Sequence, residues 1–289
     1  MYSYGEEQSS PCYIWSNFKG GKTMNAPYKI IFRGQSSLDF GCWTELAFDS
    51  DDGDSSSFLN QEAVASDSYN GSFRRVYGYK YNEVLSPQIT LVKQDYSDFS
   101  EYENRKILSW LTGSKTATFL DVCRDENDVV SYSILGNFTE VSQYKATNGR
   151  VIGYICTFES VSPYAFSLPI IETMSTSGEF IINCNSDELD AFVYPKLTLQ
   201  MNDGASGNVN IVNGTNNMIT LVSNMISNEK IVIDGANRLI YSITRHNRIF
   251  GSDFNWIWQA LNVGANNIIV DGECSIDFEW REPRKVGSL

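Results

Sequence analysis

Histidine is almost absent from this chain: the 289 residues contain one, His246, in the polar stretch Thr244–Arg248. A Ser-His-Asp site would have to use it, yet the sequence contains no Gly-x-Ser-x-Gly elbow. Neither common spacing of a glycine-rich phosphate-binding loop occurs. His246 is either a general base or a surface histidine, and its polar neighbours favour the surface. We predict no enzyme activity, although glycosidase chemistry stays open because nothing selects a pair among the 35 acidic residues.

Positive charge and long apolar runs are also scarce. Lys and Arg number 22 against 35 Asp and Glu, which gives a net charge of −13. The densest basic cluster, Arg281, Arg284 and Lys285, is too small to release counterions from a phosphate backbone. No apolar run approaches the roughly 18 residues that span a bilayer, and the first residues do not resemble a secretory signal. We expect a protein made in a cytosol, with no specific nucleic-acid binding and no membrane partner.

The usual metal-ligand patterns are missing as well. Six cysteines are scattered without a C-x-x-C pair, so we expect reduced, half-buried thiols and no zinc site. The stretch Asp49–Ser57 contains four aspartates, which either chelate Ca²⁺ or form a solvated acidic loop. The position of Gly53 does not fit a helix-loop-helix calcium site, so the pattern favours the solvated loop. We therefore predict no metal and no cofactor.

One segment has a strong helical pattern. Ser100 and Glu103 form an S-x-x-E capping box, and Gly113 follows at the expected end, so the sequence predicts a helix near residues 100–112. Apolar residues recur at helical spacing along it, with Trp110 as the expected anchor. The residues of this face are Tyr102, Ile107, Trp110 and Leu111.

The rest of the chain is typical of short β-strands. Residues 1–27 are irregular and are interpreted as an arm or an extra strand, and residues 28–166 as a β domain around the helix. Phe73–Tyr81 and Gln88–Gln94 are interpreted as a pair of strands, and Asn148-Gly149 as a hairpin turn. The other predicted strands of this domain are Tyr28–Phe32, Cys42–Phe48, Ala117–Cys123, Val129–Leu135, Phe138–Tyr144 and Val151–Glu159.

A stretch with two prolines, Ser160–Pro169, indicates a domain boundary, and a second β domain is predicted over residues 167–289. Its apolar and polar residues alternate cleanly, as in strands with one face in a core and one in water. Turn residues recur at short intervals, which favours a β-sandwich. The alternation is clearest in two segments, Lys196–Met201 and Cys274–Trp280.

Trp256 and Trp258 are candidates for a carbohydrate site. Paired aromatic rings on a β-sandwich can stack on sugar rings, and a sandwich hosts many functions. The alternative is that both are packing residues, because Ile257, Ala260 and Leu261 around them are apolar. The sequence favours packing, with Trp256 in the core.

Four stretches together resemble the distal tail proteins of long-tailed, siphovirus-type bacteriophages. Phe32–Gly41 resembles that family's opening strand and turn, and Arg105–Gly113 its helix. Tyr154–Phe158 with Ser162–Ala165 resembles the exit from its first domain. Trp258–Ile268 resembles its late W-x-x-L-x-x-G-x-N pattern. The residues that carry these motifs are Gly34, Gly41, Trp110, Tyr164, Leu261, Gly264 and Asn266.

The resemblance implies a mostly β protein, with an N-terminal ring-forming domain that contains one α-helix and a C-terminal galectin-like β-sandwich. It implies a structural virion protein, assembled in the host cytoplasm, that forms a hexameric ring at the tail tip. The implied partners are the tail tube protein, the tape measure, and tail-tip hub or receptor-binding proteins, and DNA would pass through the lumen. Neither residues 1–27 nor the acidic stretch 49–57 is explained by it.

Two alternatives to this function remain open at the level of sequence. The first is a carbohydrate-binding adhesion module of a tail or cell-surface protein, with Trp256 or Trp258 as its stacking platform. The second is a hydrolase of cell-wall polymer carried on the tail, for which the sequence offers little support.

Overall fold

Antiparallel strands make up most of the structure, a computed structural model that describes residues 29–47, 61–70, 73–81, 84–123, 129–146 and 149–286. The arm at residues 1–27 and the acidic stretch 49–57 lie outside the described residues. Within the described ranges the chain has one α-helix, α1 (Glu101–Thr112), and one 3-10 helix (Ser37–Phe40). The prediction of a mostly β protein with one helix is confirmed.

The first sheet has nine strands and contains most of the N-terminal half. Its main path runs β2-β1-β7-β8-β9-β6-β3, with β10 beside β8 and β20 (Pro283–Arg284) beside β10. A separate two-stranded sheet contains β4 and β5. The strands of the N-terminal half are β1 (Lys29–Phe32), β2 (Gln35–Ser36), β3 (Cys42–Ala47), β4 (Gln61–Asn70), β5 (Phe73–Tyr81), β6 (Gln88–Lys93), β7 (Thr118–Cys123), β8 (Val130–Lys145), β9 (Val151–Ser160) and β10 (Ala165–Phe166).

Helix α1 begins and ends as its sequence predicts. The Ser100 amide donates to Glu103 Oε2 at 2.7 Å, and the Glu103 amide donates to Ser100 Oγ at 3.3 Å, which completes the capping box. Gly113 ends the helix in a right-handed conformation, where a Cβ would lie 2.4 Å from the Ser109 carbonyl oxygen. Ile107, Trp110 and Leu111 are buried, but Tyr102 is 65% exposed, so its assignment to the apolar face is wrong.

Two strand predictions in the N-terminal half are wrong in detail. Residues 130–145 form the single strand β8, not two strands, because Gly136 continues the strand instead of turning it. A side chain there would meet the Glu159 carbonyl oxygen at 2.1 Å, so glycine permits the close approach of β9. Phe73–Tyr81 and Gln88–Lys93 are both strands, but they do not pair: β5 pairs with β4, and β6 lies between β3 and β9. Strand β4 was not predicted. Of the predicted Asn148-Gly149 turn, only Gly149 lies within the described residues, at φ +82°.

The C-terminal half is a β-sandwich of two antiparallel sheets. One sheet has the order β11-β19-β13-β16-β17 and the other β12-β18-β14-β15. The predicted alternation is confirmed in β13 and β19, whose inward residues face one shared core. The strands are β11 (Ile170–Met174), β12 (Gly178–Cys184), β13 (Lys196–Met201), β14 (Gly207–Asn213), β15 (Met218–Met225), β16 (Lys230–Asp234), β17 (Leu239–Ser242), β18 (Gly264–Asp271), β19 (Cys274–Trp280) and β20 (Pro283–Arg284).

The end of the chain returns to the first sheet. Strand β20 pairs with β10, and Val286 packs in the N-terminal core. The Arg281 guanidinium lies 3.9 Å from the centre of the Phe119 ring and donates to the Ser167 carbonyl oxygen at 2.9 Å. The two cores are therefore joined by two separate crossings of the chain, one after Phe166 and one before Pro283.

Candidate functional site

The described residues offer little for catalysis or metal binding. Within these ranges, no group of three or more His, Cys, Asp or Glu side chains is placed to hold a metal ion. His246 lies exposed in a surface turn. Five cysteines are described, and all are buried. Burial raises the pKa of the Cys42 and Cys156 thiols to about 12, so these groups are inert packing residues. No described helix is long and apolar enough to cross a membrane.

The β4–β5 hairpin, residues 61–70 and 73–81, forms a two-stranded sheet that is separate from the other described sheets. Among the described strands, these two pair only with each other. Tyr77 and Tyr79 are 64% and 68% exposed, and Val64 and Val76 are exposed as well. A two-stranded hairpin alone is marginally stable in water. The hairpin therefore presents aromatic and apolar surface that the other described residues do not cover.

The base of the β4–β5 hairpin touches both halves of the chain. The rings of Tyr81 and Tyr164 meet edge to face at 5.2 Å, and the Tyr81 hydroxyl donates to Glu188 Oε2 at 3.5 Å. Tyr164 is buried, and its own hydroxyl has no hydrogen-bond partner in the described structure. This motif residue therefore anchors the root of the hairpin at the junction of the two halves.

Two of the motif stretches form one structural unit around Trp110. Arg33 and Gly34, at φ +53° and +73°, make the two-residue turn between β1 and β2. Gly41, at φ +65°, ends the 3-10 helix, and its amide donates to the Leu38 carbonyl oxygen. The ring of Phe40 stacks on Trp110 with centroids 4.6 Å apart. The two glycines supply left-handed backbone conformations, and Trp110 has a packing role.

The late motif is a structural loop built around Asn266. This residue is fully buried, and its side chain accepts from the Asn262 amide at 2.8 Å and donates to the Asn262 carbonyl oxygen at 2.8 Å. Leu261 is buried and exchanges two backbone hydrogen bonds with Val193. Gly264 begins β18 at φ +93°. These three motif residues hold the loop in place, and the side chain of Asn266 is used fully in hydrogen bonds within the chain.

Trp256 lies at the surface, so its assignment to the core is wrong. It is 55% exposed, with its backbone at φ +57°. Trp258 is half-buried and packs against the sandwich core. The centroids of the two indoles lie 6.4 Å apart, and both rings contact Phe254 edge to face. The two candidates for sugar stacking are thus adjacent, with Trp256 the more accessible.

A buried ion pair supports the loop that precedes these tryptophans. Arg248 donates to Glu229 Oε2 at 2.6 Å, and the two side chains are 2% and 0% exposed. Burial alone raises the pKa of Glu229, but hydrogen bonds from Arg248 and the Ile226 amide and the charges of Arg248 and Arg245 outweigh it. The pKa of Glu229 therefore lies below its usual value. Sequence reasoning missed this pair, because neither residue belongs to a recognisable local pattern.

Two family models match the chain over most of its length. The model described as a phage tail protein N-terminal domain matches residues 28–162, and the model described as a phage tail C-terminal domain matches residues 164–280. No protein with a curated description matches the chain in sequence.

Solved phage structures share the fold. The SPP1 Dit protein, described as a paradigm of the hub adsorption apparatus in phages that infect Gram-positive bacteria, aligns with a TM-score of 0.59 and 10% identity. The alignment covers 88% of this chain and 98% of that one. A chain of the phage P2 baseplate, in its activated conformation with Ca, aligns with a TM-score of 0.50 and 9% identity over 80% of this chain and 90% of that one. A chain of the corresponding baseplate structure with Sr aligns with a TM-score of 0.53 and 8% identity. That alignment covers 90% of this chain and 99% of the other. Identities this low carry the fold alone.

Proposed function

Since the chain belongs to the phage tail protein family, whose two domain models match residues 28–162 and 164–280, we propose that it is a distal tail protein that closes into a ring at the tail tip. The chain is a structural virion component of the phage tail or its baseplate hub. In the proposed ring, residues 28–166 form the ring and residues 167–289 form an outer sandwich. The ring connects the tail tube to the tip and receptor-binding apparatus.

The observation that carries this proposal is the β4–β5 hairpin. A hairpin with no third strand and no helix against it gains too little burial to persist alone in water. Its exposed tyrosines supply large, rigid contact area of the kind enriched at protein interfaces. A neighbouring copy of the chain would cover this surface. In the proposed ring the hairpin of one copy contacts a different patch on the next copy, and such a contact closes into a ring when the rotation between copies is right.

The partners and the lumen follow from the ring. A closed ring of six copies leaves a central opening, and the tail tube protein, the tape measure and the tail-tip hub or receptor-binding proteins stack above and below it. The net charge of −13 per copy supports DNA passage, because acidic groups facing the lumen repel the phosphate backbone instead of holding it. An image of the purified oligomer would test this, and a lumen narrower than a DNA double helix would rule passage out.

The mass of the protein in solution tests ring closure. We expect one large species at six times the subunit mass of 32.5 kDa. Replacing Tyr77 and Tyr79 together by serine removes the exposed rings of β5 and is expected to shift the population to smaller species. The matched control is Tyr102→Ser, because Tyr102 is equally exposed but lies on α1. A monomeric wild-type chain at high concentration, or an unchanged mass for the hairpin variant, would contradict the proposal.

We also propose that the chain turns over no substrate. The residues that carry the family motifs, Trp110, Tyr164 and Asn266 among them, all have packing or hydrogen-bonding roles. A zymogram of the full-length protein on bacterial cell walls tests this, and a cleared zone would support the hydrolase instead.

A further inference from the structure

An aromatic ridge crosses one surface of the C-terminal sandwich. It is defined by five side chains in spatial order, each in ring or cation–π contact with the next: Phe192, Tyr194, Arg238, Trp258 and Trp256. The rings of Phe192 and Tyr194 lie 6.4 Å apart, and the Arg238 guanidinium lies 4.3 Å from the Tyr194 ring centre. The same guanidinium lies 5.7 Å from the Trp258 ring centre, and Trp256 follows at 6.4 Å. The ridge brings together three segments that are distant in sequence.

Trp256 is held in a costly conformation at the end of the ridge. A φ of +57° is a true outlier for a bulky aromatic residue, which has no local reason to adopt it. The indole Nε1 donates to the Gly251 carbonyl oxygen at 3.1 Å, and Phe254 packs against the ring at 5.5 Å. The ring is therefore fixed in orientation while more than half of the residue stays open to solvent. Such strain persists where surrounding structure enforces it, and it is concentrated at functional sites.

Arg238 adds a positive charge to the middle of the ridge. Its guanidinium is exposed and stacked between Tyr194 and Trp258. No carboxylate of the described residues lies within salt-bridge distance of it. In a chain with a net charge of −13, an exposed guanidinium without a carboxylate partner is available for an anion from outside. Guanidinium groups bind carboxylates in a bidentate geometry that adds both strength and specificity.

We propose that the aromatic ridge binds a linear polysaccharide whose sugars carry carboxylates. The apolar faces of pyranose rings stack on Trp256 and Trp258, and a sugar carboxylate pairs with Arg238. Neighbouring ring centroids lie 6.4 Å apart at both ends of the ridge, so successive units of an extended sugar chain can meet successive rings. A protein surface is the competing occupant, because Trp, Tyr and Arg are also enriched at protein interfaces, and the oligomer mass of the Trp256→Ala variant distinguishes the two. This function is additional to ring formation.

Affinity electrophoresis of the full-length protein tests the ridge. The probes are hyaluronan hexasaccharide, hexagalacturonate and glycan strands freed from peptidoglycan, each with carboxylates, and cellohexaose as the neutral comparison. We expect at least one carboxylate-bearing probe to bind in preference to cellohexaose. Trp256→Ala should weaken that binding by about tenfold, the loss expected for one stacking contact. Trp256→Phe should retain most of it.

The variant Arg238→Gln tests what the positive charge of the aromatic ridge contributes to binding. It should weaken binding of the carboxylate-bearing probe and remove most of its dependence on salt, because ionic contacts are screened and stacking is not. The matched control is Trp43→Ala, since Trp43 is an exposed tryptophan in the N-terminal half. It should leave binding unchanged.

Three outcomes would overturn the proposal. One is that none of the carboxylate-bearing probes binds. A second is that Trp256→Ala binds as well as wild type, or that cellohexaose binds equally and Arg238→Gln has no effect. A third is that Trp256→Ala lowers the oligomer mass measured on the same sample, because the ridge would then be a contact between protein chains. The mass of wild type, measured in parallel, separates this result from a failure of the ring itself, because without a ring the wild-type protein would also be small.

Discussion

The indole Nε1 of Trp110 donates a hydrogen bond of 2.8 Å to the backbone carbonyl oxygen of Phe32, 78 residues away. This bond ties the last turn of α1 to the end of β1. Phe32 is also in edge-to-face contact with Phe138 and Phe158, so the helix is joined through one residue to the aromatic centre of the first core. The single helix is therefore held by a polar contact as well as by burial.

Replacing Trp110 by phenylalanine keeps an aromatic ring but removes the donor to the Phe32 carbonyl oxygen. The Phe32 carbonyl oxygen is then buried without the hydrogen bond that compensates for its removal from water. We expect the free energy of unfolding to fall by about 1–3 kcal/mol. Urea denaturation followed by circular dichroism measures the change.

Trp280→Phe is the control for this substitution, because Trp280 is also buried but its indole nitrogen has no hydrogen-bond partner among the described residues. It should lower the free energy of unfolding by less than Trp110→Phe does, since it removes buried ring area and no hydrogen bond. Equal effects at the two positions would mean that the Trp110 hydrogen bond contributes nothing beyond the loss of ring area.

Gly136→Ala should be among the most damaging small substitutions in the chain. The added Cβ would lie 2.1 Å from the Glu159 carbonyl oxygen, and backbone cannot yield as a flexible side chain does. The β8 and β9 strands must separate locally, so we expect a loss of about 1–3 kcal/mol. Thermal unfolding of the purified variant measures it.

Gly214→Ala provides the comparison, because a Cβ there meets nothing closer than 3.6 Å and the backbone φ is not positive. We expect no loss of stability from this change. A Gly136→Ala variant as stable as Gly214→Ala would show that β9 does not approach β8 as closely as described.

Glu229→Gln should destabilise the C-terminal sandwich, because it removes the closer and fully buried of the two carboxylates beside Arg248 and leaves only the partly exposed Asp253, at 3.4 Å. Breaking a buried pair in this way costs about 3–5 kcal/mol. The exposed pair between Lys196 and Glu279, at 3.2 Å, gives the control: Glu279→Gln should cost no more than about 1 kcal/mol. Denaturant unfolding at neutral pH compares the two variants.

The same pair predicts a pH dependence. The pKa of Glu229 is lower in the folded chain than in the unfolded one, so its contribution is complete above the unfolded pKa. It is lost as the pH falls through the lowered folded pKa. Wild type should therefore lose more stability than Glu229→Gln over the acidic range. Parallel curves of melting temperature against pH for the two proteins would contradict this.

Local patterns predicted the parts of the fold that local forces control. The capping box of α1 was correct because Ser100 and Glu103 satisfy each other's backbone within one turn. The alternation in β13 and β19 was correct because each strand has one face in the sandwich core. In both cases the physical cause lies within a few residues, so the sequence displays it directly.

The wrong or missing predictions concern residues whose structure depends on contacts with residues far away in the sequence. Gly136 lies between the two predicted strands Val129–Leu135 and Phe138–Tyr144, but in the structure it is a strand residue that β9 approaches closely. Strand β4 carries few apolar residues, and only its pairing with β5 makes it a strand. Trp256 has apolar neighbours in sequence, but the bond from its indole to Gly251 holds it at the surface.

Composition, charge and periodicity alone established a mostly β chain with one capped helix and a sandwich in its second half. They could do so because burial alternation and helix capping depend on residues that are close together in the sequence. Only the tertiary structure decided which strands pair, that β20 returns to the first sheet, and that Glu229 meets Arg248. It alone assembled Phe192, Arg238 and Trp256 into one ridge and placed the β4–β5 hairpin in a sheet of its own among the described strands. These features depend on contacts between residues far apart in the chain, and no local pattern encodes such contacts.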